Sequence, residues 1–195
     1  MDADAVELRV LGCLIEKQRT TPDAYPLSLN SLRLACNQST NRDPVVEYDE
    51  PTIREALHRL STRGWVRLAS GHSSRAYKFR HLLDEALDLD PGQLAVLAVL
   101  MLRGPQTPGE LKQRTERLHR FESPAEAEIA LEGLIGRELV ARLERQPGQK
   151  EQRYTQLLGV DEEDAPEPTA ESLEARVTRL EAEVRSLREL LARNG

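Results

Sequence analysis

Arg54, His58, Arg59 and Thr62 are spaced to project from one side of an α-helix, and together they offer the chemistry of a nucleic-acid contact. Ile53, Ala56, Leu57 and Leu60 form the apolar stripe of the same segment, so the polar set must point away from the core. An arginine presents a forked donor to a phosphate or to the guanine edge, and histidine and threonine add shorter hydrogen bonds. Glu55 is the discordant neighbour, although a carboxylate can accept from cytosine; the plainer alternative is a solvated helix face. His72, Ser73 and Arg75, with Ser74, belong to a polar turn whose small donors suit phosphates or a minor groove.

Other chemistries find little footing. His58, His72, His81 and His119 show no HxxxH or HExxH spacing, so no metal site is expected. Cys13 and Cys36 sit in apolar helical patterns without CxxC spacing and read as reduced, buried thiols. With no glycine-rich phosphate loop and no nucleophile-base grouping, the chain is expected to be neither an enzyme nor a cofactor binder.

The elements that must position these residues occur twice. Leu8, Leu11 and Leu14 match Leu94, Leu97 and Leu100, and further on Leu57, Leu60, Arg63 and Val66 match Leu131, Leu134, Arg137 and Val140. Asp90, Thr107 and Ser123 are each followed by proline and, three residues on, by Gln93, Glu110 or Glu126, which predicts three capped helix starts. In the first copy Ser28 and Asp49 are the expected caps. After each third helix a short apolar run, at 65–68 and at 139–143, leads through a polar turn to a second run ending at Tyr77 or Tyr154. Three helices plus a hairpin predict a winged helix, so the fold class is mainly α with small β hairpins: two tandem winged-helix (helix-turn-helix) domains, at 1–86 and 87–159.

The two third helices differ. In the second copy Ala127, Ala130, Leu131 and Leu134 are the expected core, which turns Glu128, Ile129, Glu132, Gly133 and Gly136 outward. Carboxylates repel a phosphate backbone, whereas glycines beside an exposed isoleucine make a flat surface that suits a partner subunit, the first domain or another protein. Residues 94–102 are apolar all round, which also predicts an interface.

Residues 160–171 read as an acidic linker and 172–195 as a coiled-coil helix: Leu173, Val177, Leu180, Val184, Leu187 and Leu191 form a heptad seam that favours parallel dimers. Docking of that helix on its own chain is the alternative. The net charge of −6 comes mostly from this tail; residues 33–80 alone carry a modest basic excess. The acidic start lacks the pattern of a secretory or transit signal, and the longest apolar run is too short to cross a bilayer, so a cytoplasmic protein without membrane contact is expected.

The stretch from Tyr25 to Tyr48, with Leu34-Ala35-Cys36-Asn37-Gln38 and Asn41-Arg42-Asp43-Pro44, closely resembles the bacterial YceH family, and the resemblance runs from about Val6 to Gly159. It implies a tandem winged-helix fold in a bacterial cytoplasm and supplies no activity. Asn37, Gln38, Asn41, Arg42 and Asp43 are expected mainly to tie down a long loop, with nucleic-acid contact the alternative. Two functions follow: a DNA-binding transcriptional regulator acting as a dimer, with duplex DNA on the first domain, or an interaction scaffold similar to the tandem winged-helix chromosome-segregation protein ScpB. In either case the second domain and C-terminal helix are expected to meet a second copy or another protein.

Overall fold

The computed structural model describes residues 3–69, 77–144 and 151–159. The chain is mainly helical with small antiparallel hairpins. The first copy of the repeat contains α1 (Ala5–Thr20), β1 (Leu27–Ser28), α2 (Leu29–Cys36), α3 (Glu50–Thr62), β2 (Val66–Leu68) and β3 (Lys78–His81). A short helix, α4 (Leu83–Leu87), leads to the second copy: α5 (Pro91–Arg103), α6 (Pro108–Thr115), α7 (Pro124–Ile135), β4 (Val140–Arg142) and β5 (Tyr154–Gln156). The expected linker and coiled-coil helix lie outside the described residues.

The helix starts follow the sequence signals closely. Asp90 accepts from the Gly92 and Gln93 amides, Thr107 from that of Glu110, and both form reciprocal boxes with the residue three positions on. Ser123 accepts from the Glu126 amide, but the Glu126 carboxylate turns outward to take the N–H of Glu122 instead. Ser28 and Asp49 cap α2 and α3.

In the first copy β3 is central, paired antiparallel with β2 (Val66 opposite His81) and with the two-residue β1 (Leu27 opposite Phe79). The second copy repeats the plan in reduced form: β4 pairs with β5, and a single antiparallel bridge between Gln106 and Tyr154 stands where β1 stands in the first. The third strand was not legible in sequence, because two residues carry no alternation to read.

Met1–Val160 make up one compact unit, and the two copies share a continuous apolar core. Residue 86, where the first domain is expected to end, lies in α4. Its centre is the first helix of each copy: α1 buries Leu8, Val10, Leu11, Cys13, Leu14 and Ile15, and α5 is buried from Leu94 to Leu102. The all-round apolar character of 94–102 therefore has its cause within the chain, since the other copy covers the face a three-helix domain would leave wet. Gly12 permits the approach: a Cβ there would stand 2.9 Å from Leu102 Cγ.

Candidate nucleic-acid interface

α3 buries Ile53, Ala56, Leu57 and Leu60, as its spacing requires, and leaves Arg54, Glu55, His58 and Thr62 exposed. The expected quartet does not remain equivalent. Arg54 and His58 stand in solvent without an ion pair among the described residues. The Thr62 hydroxyl donates to the His58 carbonyl at 3.1 Å, an ordinary in-helix bond.

Arg59 departs from expectation. Its Nη2 lies 2.5 Å from Asp4 Oδ2, its Nη1 3.3 Å from Glu55 Oε1 and its Nε 3.6 Å from Glu7 Oε2, and the residue is half-buried. Three carboxylates surround one guanidinium, so Arg59 is a clamp between α3 and the start of α1 rather than a free cation. Arg63 adds to it, with Nε 3.3 Å from Glu7 Oε1 and its guanidinium 5.7 Å from the centre of the Trp65 ring. Asp4 and Glu7 are at the same time the capping box of α1. Asp4-x-x-Glu7 was the available signal, since that spacing is a helix-start pattern.

The hairpin adds charge beside α3. Arg67 on β2 is exposed, and Arg80 on β3 lies 3.4 Å from Glu85. His72, Ser73 and Arg75 lie outside the described residues.

The polar loop 37–49 is fastened by its own side chains. Asn37 Nδ2 donates to the Tyr48 carbonyl at 2.8 Å and its Oδ1 accepts from the Tyr48 amide at 2.9 Å, which closes the loop at its two ends. Arg42 is buried and spends its donors on Glu16, Gln38 and the carbonyls of Ala35 and Asn41. Burial pushes the Glu16 carboxyl up, but the hydrogen bonds and charge of Arg42, with Lys17 beside it, outweigh that and hold it below the usual range. Arg42 is thus an internal tie. Arg9, which the repeat disguised as one more surface position of α1, is also buried and donates to the carbonyls of Cys36 at 3.2 Å and Pro44 at 2.6 Å.

His81 closes the first hairpin against α1, with Nε2 2.7 Å from Gln18 Oε1 and its backbone N–H donating to the Tyr25 hydroxyl at 2.8 Å. Burial lowers its pKa to about 4 despite Asp84 at 3.4 Å, so it is a neutral core residue.

On α7, Ala127, Leu131 and Leu134 are buried and Ala130 half-buried, while Glu128, Ile129 and Glu132 face solvent, Ile129 at 72% exposure. Glu132 is paired with Arg142 of β4. Gly133 is not part of an open surface: a Cβ there would meet Gln93 Nε2 at 2.8 Å, so this glycine makes room for the start of α5. Gly136 is exposed at the end of the helix. No helix of the described residues is long and apolar enough to cross a membrane, and no cluster among them of three or more His, Cys, Asp or Glu could hold a metal ion.

Residues 3–149 match a family profile described as "Protein of unknown function, DUF480". A "UPF0502 protein" of Azotobacter vinelandii is 50% identical over 175 residues, spanning 90% of this chain and 75% of the relative. Proteins of the same description from Geotalea uraniireducens and Geotalea daltonii are 48% identical over 200 residues and 52% over 176, covering 96% and 88% of this chain and 91% and 80% of theirs.

Proposed function

We propose that this chain, which belongs to the DUF480 family of proteins of unknown function, is a non-catalytic, cytoplasmic DNA-binding regulator that grips duplex DNA with α3 and the hairpin after it. The observation that carries this reading is the pair Arg54 and His58, exposed on α3 opposite its buried stripe, with Arg67 exposed on the strand that follows. The order α1-β1-α2-α3-β2-β3 with β3 central supports a winged helix, in which the third helix enters a groove and the hairpin rests on the backbone. The reduced second copy and the YceH-like run from Tyr25 to Tyr48 support a tandem arrangement. Dimerisation through the heptads of 172–195 would present two such helices to two half-sites.

Salt-dependent binding tests it. Anisotropy of a labelled genomic duplex is expected to show binding that weakens steeply with salt, and Arg54→Ala is expected to reduce the log–log slope by about 1. No binding at low salt would dispose of the regulator.

A second reading, a protein-interaction scaffold, is favoured by Ile129. A large apolar side chain on the exposed side of α7, between Glu128 and Glu132, suits a protein surface and repels phosphate. Capture of a defined partner by the wild type and not by Ile129→Asp, in a chain that ignores DNA, would favour the scaffold.

A further inference from the structure

We propose that the cleft where the two copies of the repeat meet is a binding site for a small ligand carrying a phosphate group. The cleft has a volume of about 740 Å³, within the range of small-molecule sites. Its walls are the end of α1, the loop after α2, the end of α5, and the end of α6 with the turn beyond it. Buried Val99 and Leu102 form part of the wall, and the rest of the lining is mainly polar.

The charge of the lining selects the ligand. Four cations, Lys17, Arg103, Arg114 and Arg117, face two carboxylates, Glu16 and Glu116. That excess matches a phosphate monoester, which carries about −1.5 to −2 at neutral pH, better than a single carboxylate. Outside the lining, Arg42 grips Glu16 at 2.6 Å and Glu110 holds Arg114 at 3.2 Å, so one added cation is offset by one added anion.

Arg103 and Arg117 have no carboxylate partner among the described residues. Arg103 Nη1 donates to Asn41 Oδ1 at 3.1 Å and Lys17 Nζ to Gln38 Oε1 at 3.3 Å, so neutral amides of the loop after α2 hold both cations at the wall. Burial and the charge of Arg114, with Arg42 adding, push the Arg103 guanidinium below the usual arginine range, and Glu110 and Asp43 do not make up the difference. An anion seated between Arg103 and Arg114 would relieve that repulsion, and each guanidinium can present paired N–H groups to phosphate oxygens. Thr40 and Gln113 add donors, since their side chains make no hydrogen bond among the described residues. Gln38 and Asn41 belong to loop 37–49, so the ligand would touch the segment that leads into α3.

The test is calorimetric titration of the full chain with sodium pyrophosphate, at constant ionic strength and without DNA. One-to-one binding is expected with a dissociation constant below about 1 mM, the strength of a few charge-assisted hydrogen bonds. Arg103→Ala and Arg117→Ala are each expected to weaken it about tenfold, and Arg54→Ala to leave it unchanged. Arg117 is exposed, so its variant carries the test should Arg103→Ala fail to fold. Heat no larger than that of sodium chloride, equal binding of citrate, or binding that survives both substitutions would overturn the proposal. A loss confined to Arg54→Ala would overturn it as well, by placing the anion on α3. Because no DNA is present, the result stands apart from whether α3 binds a duplex.

Discussion

Arg42 grips Glu16 with both prongs of its guanidinium, Nη2 at 2.6 Å from Oε2 and Nη1 at 3.1 Å from Oε1, while its Nε donates to the Ala35 carbonyl at 3.1 Å. One side chain thereby fastens the loop before α3 to both α1 and α2. Arg42→Ala would strand a largely buried carboxylate and three acceptors, at a cost of about 3 kcal/mol in unfolding free energy. Glu16→Gln keeps the acceptor and should cost roughly 1 kcal/mol. Urea titration of the two variants checks the ranking, and equal costs would show that the pair does not act as argued.

His81 makes stability depend on pH. Its folded pKa, about 4, lies below the ordinary histidine value of 6.5, so between these values the unfolded chain binds the extra proton. Stability is then complete above about 6.5 and falls as pH drops towards about 4, by up to roughly 3 kcal/mol. The groups felt at the ring are Asp84, Arg80 and Arg19. Glu16, held below its ordinary 4.5, adds its own loss only at lower pH. His81→Gln should flatten the denaturation midpoint between about pH 6.5 and about pH 4.5 relative to wild type; an unchanged slope would assign the loss elsewhere.

Two glycines should respond oppositely to an added side chain. At Gly12 the new Cβ of Gly12→Val meets Leu102 Cγ at 2.9 Å and Met101 Cβ at 3.4 Å, between the two central helices, and should cost about 2 kcal/mol. At Gly133 the obstacle is Gln93 Nε2, the tip of a flexible side chain, and Ala gains about 1 kcal/mol of helix propensity over Gly. Gly133→Ala is therefore expected to be neutral or mildly stabilising by thermal melting.

Ile129 is 72% exposed among the described residues, so Ile129→Ser should leave unfolding free energy within about 0.5 kcal/mol of wild type. A loss above about 1 kcal/mol, measured by urea titration and growing with protein concentration, would reveal that a second copy covers α7 in solution.

Helix starts were legible because a cap is a local device: Asp90, Thr107, Ser28 and Asp49 each bond a backbone amide within three residues, and that spacing is written in the chain. The buried stripe of α3 was legible for the same reason. The site was legible only in part. Arg54 and His58 lie where their helix phase puts them, whereas Arg59, with the same phase on paper, meets Asp4 from 55 positions away. No periodicity within α3 contains that carboxylate. The burial of Arg9 was not legible, because it depends on the carbonyls of Cys36 and Pro44 returning around it from far along the chain.

By itself the amino-acid order decided a mainly helical chain, where the capped helices begin and which stripe α3 must hide, since these follow from interactions spanning a few residues. Tertiary structure alone decided that α1 and α5 bury each other, that Arg59 is ion-paired with Asp4, and that Arg9 and Arg42 lie buried. Those outcomes depend on which distant surfaces come together, and apolar burial, being non-directional, leaves that choice to the packing of the whole chain.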